Sequence, residues 1–235
     1  MIVDFHSHIL PRADHGSDSI ETTQKQLQMI AEAGTEAVVA TPHFYPDKDT
    51  PSAFLTRREM AARALLASGK PPFRIYLGAE VLVCPGLERM EHLERLTIAG
   101  TTVILLEMPF RKWDLDLLET VQEIRDSGLH PVFAHIDRYP PAEVHNLLRA
   151  GFDTQLNADS LSGLFGYLRN RKYLNSGSVV ALGSDLHEAE NGGYQHFIKA
   201  KKRLGARADA IFARTAALLE GATPLEELLC EPATV

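Results

Sequence analysis

The chain alternates short apolar runs with longer segments of helical periodicity, and this alternation constrains its fold more than any other feature. Runs rich in Val, Ile and Leu between turn residues are typical of buried strands, whereas apolar residues three and four apart are typical of helices. Strands are predicted at residues 2–8, 36–41, 74–83, 102–108, 131–135, 153–157 and 179–184. Helices are predicted at residues 19–33, 52–68, 114–127, 141–149, 160–170, 194–204 and 208–220.

This succession of strand and helix units predicts one closed or nearly closed α/β barrel. The runs 38–40 and 103–106 are apolar at every position, as in parallel strands that are covered on both faces. No repeat, low-complexity segment or linker divides the sequence, so residues 1–235 are predicted to form a single domain. The segment after about residue 221 is predicted to be a peripheral short helix and tail.

The composition excludes several classes of protein. With 24 Lys and Arg against 31 Asp and Glu, the formal net charge of −7 argues against a broad surface for nucleic acid or anionic lipid. The two cysteines, Cys84 and Cys230, cannot form a disulfide framework, and no apolar leader precedes the first strand. We therefore expect a cytoplasmic protein that does not insert into a membrane.

Histidines and carboxylates interrupt or follow the predicted strands. Side chains two apart in an extended strand share a face, so His6 and His8 can reach one cavity together. A carboxylate inside an apolar strand, such as Glu107, is costly unless it is paired or binds a cation. In a barrel of parallel strands these positions fall at the carboxyl ends, which form the active-site face. The candidate ligands there are His6, His8, His43, Glu80, Glu107, His135, Asp185 and His187.

Each of these residues also has a structural interpretation when it is taken alone. A histidine at a strand end can be a hydrogen-bonded packing residue, and a buried glutamate can be the partner of an arginine. Together, on six strands and at one rim, they favour a metal site of nitrogen and oxygen ligands, which fits Mn²⁺, Fe or Zn²⁺. The histidines without a matching partner, interpreted as surface or packing residues, are His92, His130, His145 and His196.

The order of the motifs resembles that of the polymerase and histidinol phosphatase (PHP) family. Within that family, the chain is most similar to the bacterial manganese-dependent protein-tyrosine phosphatases of capsule and exopolysaccharide operons, from residue 1 to about residue 204. The motifs are His6-x-His8, Asp14-His15-Gly16, Thr41-Pro42-His43, Gly78-Ala79-Glu80, Glu107-Met108-Pro109, His135-Ile136-Asp137-Arg138-Tyr139 and Asp185-x-His187.

The resemblance implies a distorted seven-stranded (β/α) barrel, similar to a TIM barrel, with three divalent cations at the carboxyl ends of its strands. Mn²⁺ is the expected ion. Carried over by position, the ligands of the first ion are His6, His8, Glu80 and Asp185. Glu80 would bridge to a second ion that also takes Glu107 and His135, and the third ion would take His15, His43 and His187. Arg138 would be the catalytic residue that binds phosphate.

The sequence departs from the family pattern at two positions. A histidine stands at position 15, where the tyrosine phosphatases usually carry Asp, and this resembles other branches of the superfamily. Asp137 stands where Glu is usual. Arg111 and Lys112 follow Glu107 on the same rim, so they are either substrate-binding residues for an acidic phosphopeptide or part of a solvated loop.

The expected reaction is hydrolysis of a phosphate monoester, by attack of a metal-bridging hydroxide on phosphorus while Arg138 holds the developing charge. The sequence argues against a cysteine nucleophile, because Met90, not an arginine, stands six positions after Cys84, and Cys230 lies too near the end of the chain. By resemblance, the substrate is a phosphotyrosine protein, namely a bacterial tyrosine autokinase that controls capsule and exopolysaccharide synthesis. The alternatives are a small-molecule phosphatase such as histidinol phosphatase, a metal-dependent nuclease and a non-catalytic regulatory module.

Overall fold

The structure, a computed structural model, describes residues 1–189 and 194–230. Its strands are β1 (Val3–Ser7), β2 (Ala37–Ala40), β3 (His43–Phe44), β4 (Arg74–Leu77), β5 (Glu80–Leu82), β6 (Val103–Glu107), β7 (His130–Phe133), β8 (Asp153–Asn157) and β9 (Val179–Gly183). Its α-helices are α1 (Ile20–Glu32), α2 (Pro51–Ala67), α3 (Leu115–Asp126), α4 (Pro141–Arg149), α5 (Asp159–Ser162), α6 (Leu164–Ser176), α7 (Gln195–Leu204), α8 (Ala206–Leu218) and α9 (Leu225–Leu228). Residues 231–235 of the predicted tail lie outside the described residues.

The strands pair in parallel in two sheets. One sheet has the order β1, β2, β4, and the other has the order β3, β5, β6, β7, β8, β9. The first and last strands meet at their carboxyl ends, where the Asp185 N–H donates to the His6 carbonyl at 2.8 Å and the His8 N–H donates to the Leu186 carbonyl at 3.0 Å. The predicted α/β class and parallel arrangement are therefore confirmed.

The described residues contain nine short strands in place of the seven predicted, because one predicted strand is split and a further short strand follows another. The run 74–83 is split at Gly78 and Ala79 into β4 and β5, and β3 follows β2 after Thr41 and Pro42. Proline has no N–H to donate to a neighbouring strand. Between β4 and β5, the buried Arg58 of α2 donates to the Gly78 carbonyl at 2.7 Å. The ladder consequently passes from one sheet to the other at this point.

The buried apolar residues form two clusters that occupy alternate faces of the strands. Val103 and Leu105 of β6 belong to a smaller cluster, here called the strand cluster, with Val3, Phe5, Ala37, Val39, Tyr76, Ile98, Val132, Ala134, Val180, Ala181 and Leu219. Ile104 and Leu106 of the same strand belong to a larger cluster that includes the buried faces of the helices. Both faces of the strands are therefore covered, which explains their uninterrupted apolar sequence.

The helices begin where the sequence predicts. The Ser19 hydroxyl accepts the Thr22 N–H at the start of α1, and the Asp114 carboxylate accepts the Leu117 N–H at the start of α3. The predicted helix at 160–170 is instead two helices, α5 and α6, on either side of Gly163. None of the helices in the described residues combines the length and the apolar character needed to cross a membrane.

Candidate metal centre

The candidate ligands converge at one edge, at the carboxyl ends of β1, β2, β4, β6, β7 and β9. β1 carries His6 near its end and is followed by His8, and β6 ends at Glu107. β3 begins with His43, and β5 begins with Glu80 directly after the break that separates it from β4. Parallel strands bring these positions to one edge although they are far apart in sequence. The remaining candidates, His135, Asp185 and His187, follow the ends of β7 and β9.

Glu80 lies at the centre of the cluster and is only 1% exposed. Its Oε2 atom is 3.1 Å from His6 Nε2, 3.4 Å from His8 Nε2 and 2.9 Å from His43 Nδ1. Its Oε1 atom is 2.7 Å from His135 Nε2. One buried carboxylate is therefore surrounded by four imidazole nitrogens from different parts of the chain.

Several of these close contacts do not have the geometry of hydrogen bonds. Within the described part of the chain, His43 Nδ1 and Glu80 Oε2 are buried and have no hydrogen-bond partner, although they lie 2.9 Å apart. The Nε2 atoms of His6 and His8, by contrast, lie 3.1 Å apart at hydrogen-bond distance. A buried polar atom without a partner costs about 1–3 kcal/mol, and a cation bound between these atoms would remove that cost. The residues present therefore fit divalent metal ions.

Among the described residues, three groups of ligand atoms lie close enough to hold a metal ion, with all atoms of a group within 4.8 Å of one another. The groups are His8, His43 and His187; His6, His8 and Glu80; and His43, Glu80 and Glu107. Asp185 Oδ1 borders the second group, at 3.6 Å from His6 Nε2 and 3.4 Å from His8 Nε2. His135 Nε2 borders the third group, at 3.7 Å from Glu107 Oε1.

His15 lies in an exposed loop beside the cluster and belongs to none of the three groups. Its ring stacks on that of His43, with centroids 4.6 Å apart and planes at 9°, and lies 4.9 Å from the ring of His187. The structure groups the ligand atoms of these two histidines with His8 instead. His15 is therefore a neighbour of the group in which the resemblance would place it.

The electrostatics of the cluster reflect its concentration of carboxylates. Burial, joined by the negative charge of Glu80, raises the pKa of Glu107 to about 7. Burial also opposes ionisation of Asp185, but the neighbouring His6 and His8 outweigh it and hold the pKa of this carboxyl below its usual range. A positive charge at this edge would offset the repulsion between Glu80 and Glu107.

Asp14 is a site residue that the sequence analysis placed in a motif but gave no role. Its Oδ2 atom is 2.6 Å from His8 Nδ1 and accepts the His43 N–H at 2.8 Å. A carboxylate on the far nitrogen of a histidine ligand fixes the tautomer and the orientation of the ring. In the sequence, only the motif Asp14-His15-Gly16 pointed to this residue. Its contacts with His8 and His43 depend on how the loop folds back.

Gln155 and Asn157 of β8 were missed by the sequence analysis. Gln155 Oε1 accepts the His135 N–H at 2.7 Å and lies 3.2 Å from His6 Nδ1. Its Nε2 donates to Asn157 Oδ1 at 2.8 Å, and Asn157 Nδ2 donates to Asp185 Oδ2 at 2.9 Å. The signal was the alternation of polar residues in the predicted strand 153–157, whose side chains two apart share a face. These amides therefore contact candidate ligands from three other strands.

Unusual backbone geometry occurs at the same edge. His135 has φ 30° and Asp185 has φ 53°, both in the left-handed region that costs a non-glycine residue of order 1–3 kcal/mol. A side chain on Gly183 would place its Cβ 2.5 Å from His6 Cβ and 2.7 Å from Gln155 Nε2. Only glycine therefore allows β9 to approach β1 and β8 this closely.

The two arginines predicted to bind substrate differ in their surroundings. Arg138 lies in a 3₁₀ turn after β7, with a side chain 43% exposed, and its Nη2 forms an ion pair with Asp185 Oδ2 at 2.8 Å. Burial opposes its charge, but Asp185 and Asp137 raise the pKa of this guanidinium, which therefore stays protonated. Arg111 forms an exposed ion pair with Asp114 at 3.3 Å, within its own loop.

The histidines predicted to be ordinary lie outside the three ligand groups. His92 and His145 are exposed. His130 Nε2 is 2.8 Å from Asp153 Oδ2, and His196 Nδ1 is 3.1 Å from the Ser162 hydroxyl.

Comparison with known proteins bears out the resemblance to bacterial tyrosine phosphatases of capsule synthesis. The family model for capsular polysaccharide synthesis, CpsB/CapC, matches residues 2–208. Tyrosine-protein phosphatase CpsB of Streptococcus pneumoniae is 26% identical over 205 residues, which cover 81% of this chain and 84% of that protein. Tyrosine-protein phosphatase YwqE of Bacillus subtilis is 25% identical over 173 residues, which cover 70% and 68% of the two chains.

The fold is likewise shared with a solved structure. A crystal structure from a study of YwqE and CpsB, described there as metal-dependent tyrosine phosphatases, has a TM-score of 0.79 and 21% identity to this chain. The match covers 94% of this chain and 96% of that one. The matched family model spans most of the sequence, from the first strand through the helices that follow β9. The chain therefore belongs to the CpsB/CapC family of capsular polysaccharide synthesis.

Proposed function

We propose that this chain is a metal-dependent phosphomonoesterase that hydrolyses phosphotyrosine in proteins. The observation that carries the proposal is the buried cluster around Glu80, in which Glu80 Oε2 and His43 Nδ1 lack hydrogen-bond partners among the described residues, beside the half-exposed guanidinium of Arg138. Its similarity to YwqE and CpsB, which are named tyrosine-protein phosphatases, supports this substrate.

Three divalent cations, Mn²⁺ in preference to Fe or Zn²⁺, are the proposed cofactors. The close groups of ligand atoms support three positions, and the absence of cysteine from those groups in the described residues supports a nitrogen and oxygen site. The proposed ligands are His6, His8, Glu80 and Asp185 for the first ion, Glu80, Glu107 and His135 for the second, and His15, His43 and His187 for the third. The ring stack of His15 on His43 keeps His15 within this proposal.

The residues of the chain have separate tasks in the proposed reaction. Arg138 binds the phosphoryl oxygens, because its planar guanidinium is charged and half-exposed. Its ion pair with Asp185, at 2.8 Å, keeps the guanidinium beside the ligand cluster. Asp14 holds His8, and Gln155 holds His6, each through the ring nitrogen that points away from Glu80. The bound cations supply Lewis acidity, which neutralises phosphoryl charge and activates water for attack on phosphorus.

The decisive experiment combines elemental analysis of the purified protein with parallel assays on a phosphotyrosine peptide, histidinol phosphate and DNA. We expect bound transition metal, preferred hydrolysis of the peptide and loss of activity on chelation. Alkylation of Cys84 and Cys230 should leave activity intact, since both lie outside the ligand groups. A preference for histidinol phosphate would instead identify a small-molecule phosphatase. Full metal occupancy without release of phosphate from either ester would identify a regulatory module.

The biological partner proposed for this site is a bacterial tyrosine autokinase of capsule and exopolysaccharide synthesis, in the cytoplasm. The description of the matched family supports a setting in capsular polysaccharide synthesis. We also propose that residues 1–235 act as one domain. Incubation with an autophosphorylated kinase of this class should remove its phosphotyrosine signal on an immunoblot, and a signal that persists would argue against this partner.

A further inference from the structure

A large aromatic side chain lies exposed at the rim of the metal centre. Phe110 stands three residues after Glu107, in the loop that leads from β6 to α3, and is 60% exposed. Most large apolar side chains of the protein are buried in its two clusters. An apolar ring that remains in solvent next to a candidate active site is a candidate contact for a ligand.

The position of this ring is fixed from below. The ring of Phe110 stacks on that of His135, with centroids 5.7 Å apart and planes at 22°, and lies 5.6 Å from the ring of Tyr139. The Tyr139 hydroxyl accepts the Met108 N–H at 2.8 Å. Trp113 packs its edge against Tyr139 and donates from Nε1 to the Pro109 carbonyl at 3.0 Å. The loop is therefore tied down on both sides of Phe110.

A second aromatic ring at the rim is less available. Tyr45 stacks on His43 with centroids 5.1 Å apart, on the β3 side of the cluster. It is partly buried, and the Lys48 ammonium lies 4.7 Å from the centre of its ring. Burial, with the charges of Glu107 and Glu80, raises the pKa of Tyr45, so its hydroxyl stays neutral. Phe110 is thus the more open aromatic surface beside the ligands.

We propose that Phe110 is a specificity-determining residue, and that the aromatic ring of an aryl phosphomonoester packs against it while the phosphoryl group lies at the ligand cluster beside Arg138. This inference rests on the proposed function. His135, on which Phe110 stacks, has its Nε2 atom 2.7 Å from Glu80 Oε1. The imidazole of His135 therefore links the exposed ring to the cluster. Packing two rings buries apolar surface of both and adds their stacking interaction, which an alkyl phosphate cannot supply.

The test uses two non-hydrolysable probes, phenylphosphonate and methylphosphonate, titrated by calorimetry into the metal-loaded protein. Wild-type protein should bind phenylphosphonate the more tightly. Phe110→Ala should weaken phenylphosphonate about tenfold and methylphosphonate less than about twofold, because only the ring contact is lost. Phe110→Tyr, which keeps an aromatic ring, should bind phenylphosphonate with the dissociation constant of the wild-type protein. For a phosphotyrosine peptide, Phe110→Ala should raise KM by a similar factor and leave kcat nearly unchanged.

The matched control is Phe165→Ala, which removes another ring, 88% exposed, from the first turn of α6. It should leave both dissociation constants unchanged, and elemental analysis should find the same metal content in all variants. Equal binding of the two probes by wild-type protein, or equal losses of both in Phe110→Ala, would overturn the ring contact. If wild-type protein hydrolyses phosphotyrosine while Phe110→Ala binds both probes normally, the proposed function stands and only this inference is wrong. If wild-type protein hydrolyses no phosphomonoester, both are wrong.

Discussion

The two ends of the strands differ in chemistry over a very short distance. On β6, Val103 and Leu105 lie in the strand cluster, whereas Glu107, two positions further along the same face, lies among the candidate metal ligands. With a rise of about 3.3 Å per residue, the step from apolar packing to buried charge takes about 7 Å. The amino ends and the strand cluster stabilise the fold by burial, and the carboxyl ends hold groups whose burial is costly.

Unfavourable backbone conformations also occur at the carboxyl ends of the strands. Two non-glycine residues with positive φ, His135 and Asp185, lie at the carboxyl ends and belong to the candidate site. Strained conformations of this kind persist only where the surroundings hold them. Here the surroundings are the apolar clusters below and the amides of Gln155 and Asn157 beside them. Stability at one end thus supports an otherwise unfavourable arrangement at the other.

Glu80→Gln is the substitution expected to have the largest effect on metal binding and activity at the carboxyl ends of the strands. It removes the central carboxylate, and with it the charge that four imidazoles surround. We expect kcat/KM for a phosphotyrosine peptide to fall by about a thousandfold or more, with loss of bound metal, since metal ions contribute several kcal/mol to such reactions. The control is Glu59→Gln, in an exposed ion pair with Arg63, which should change neither quantity. Retention of metal and activity by Glu80→Gln would contradict the proposed site.

Arg138→Ala should separate phosphate binding from metal binding. The side chain contacts Asp185 but is not among the three groups of ligand atoms. We expect kcat/KM to fall about 100- to 1000-fold while elemental analysis finds the metal content unchanged, as for loss of one group that stabilises a charged transition state. A parallel loss of metal would indicate that Arg138 has a structural role through Asp185.

Gln155→Leu tests the support that β8 gives to the ligands. The substitution removes the amide that contacts His6 Nδ1 and accepts the His135 N–H. Partners of metal ligands typically contribute about 10- to 100-fold to metal affinity, so we expect a weakening of that size in competition with a chelator. Unchanged affinity would show that β1 and β7 position their histidines without β8.

Ile98→Val tests the strand cluster and should have the smallest effect. Ile98 is 1% exposed, and losing one methylene there should lower the free energy of unfolding by about 0.5–1.5 kcal/mol. Urea denaturation measures this change, while metal content and kcat/KM should match the wild type. A change in either would show that the two ends are coupled more tightly than their separate packing indicates.

Much of the fold could be predicted because its signals are local. Ser19 and Asp114 cap helices through contacts three residues away, and an apolar strand such as β6 has the same pattern wherever it lies in the sheet. The break between β4 and β5 could not be predicted in this way. At this break the Gly78 carbonyl accepts from Arg58, a residue of α2 that lies 20 positions away in sequence.

The sequence by itself determined which side chains are available for chemistry and that parallel strands would collect most of them at one edge. His6 and His8 illustrate this, because their two-residue spacing already places them on one face. Only the tertiary structure decided which atoms face one another: that Glu80 lies between His6 and His135, that Asp14 turns back to His8, and that Phe110 stays in solvent. The physical reason is that spacing along the chain fixes the direction of a side chain, whereas its partners come from other strands and loops, whose approach depends on the packing of the whole fold.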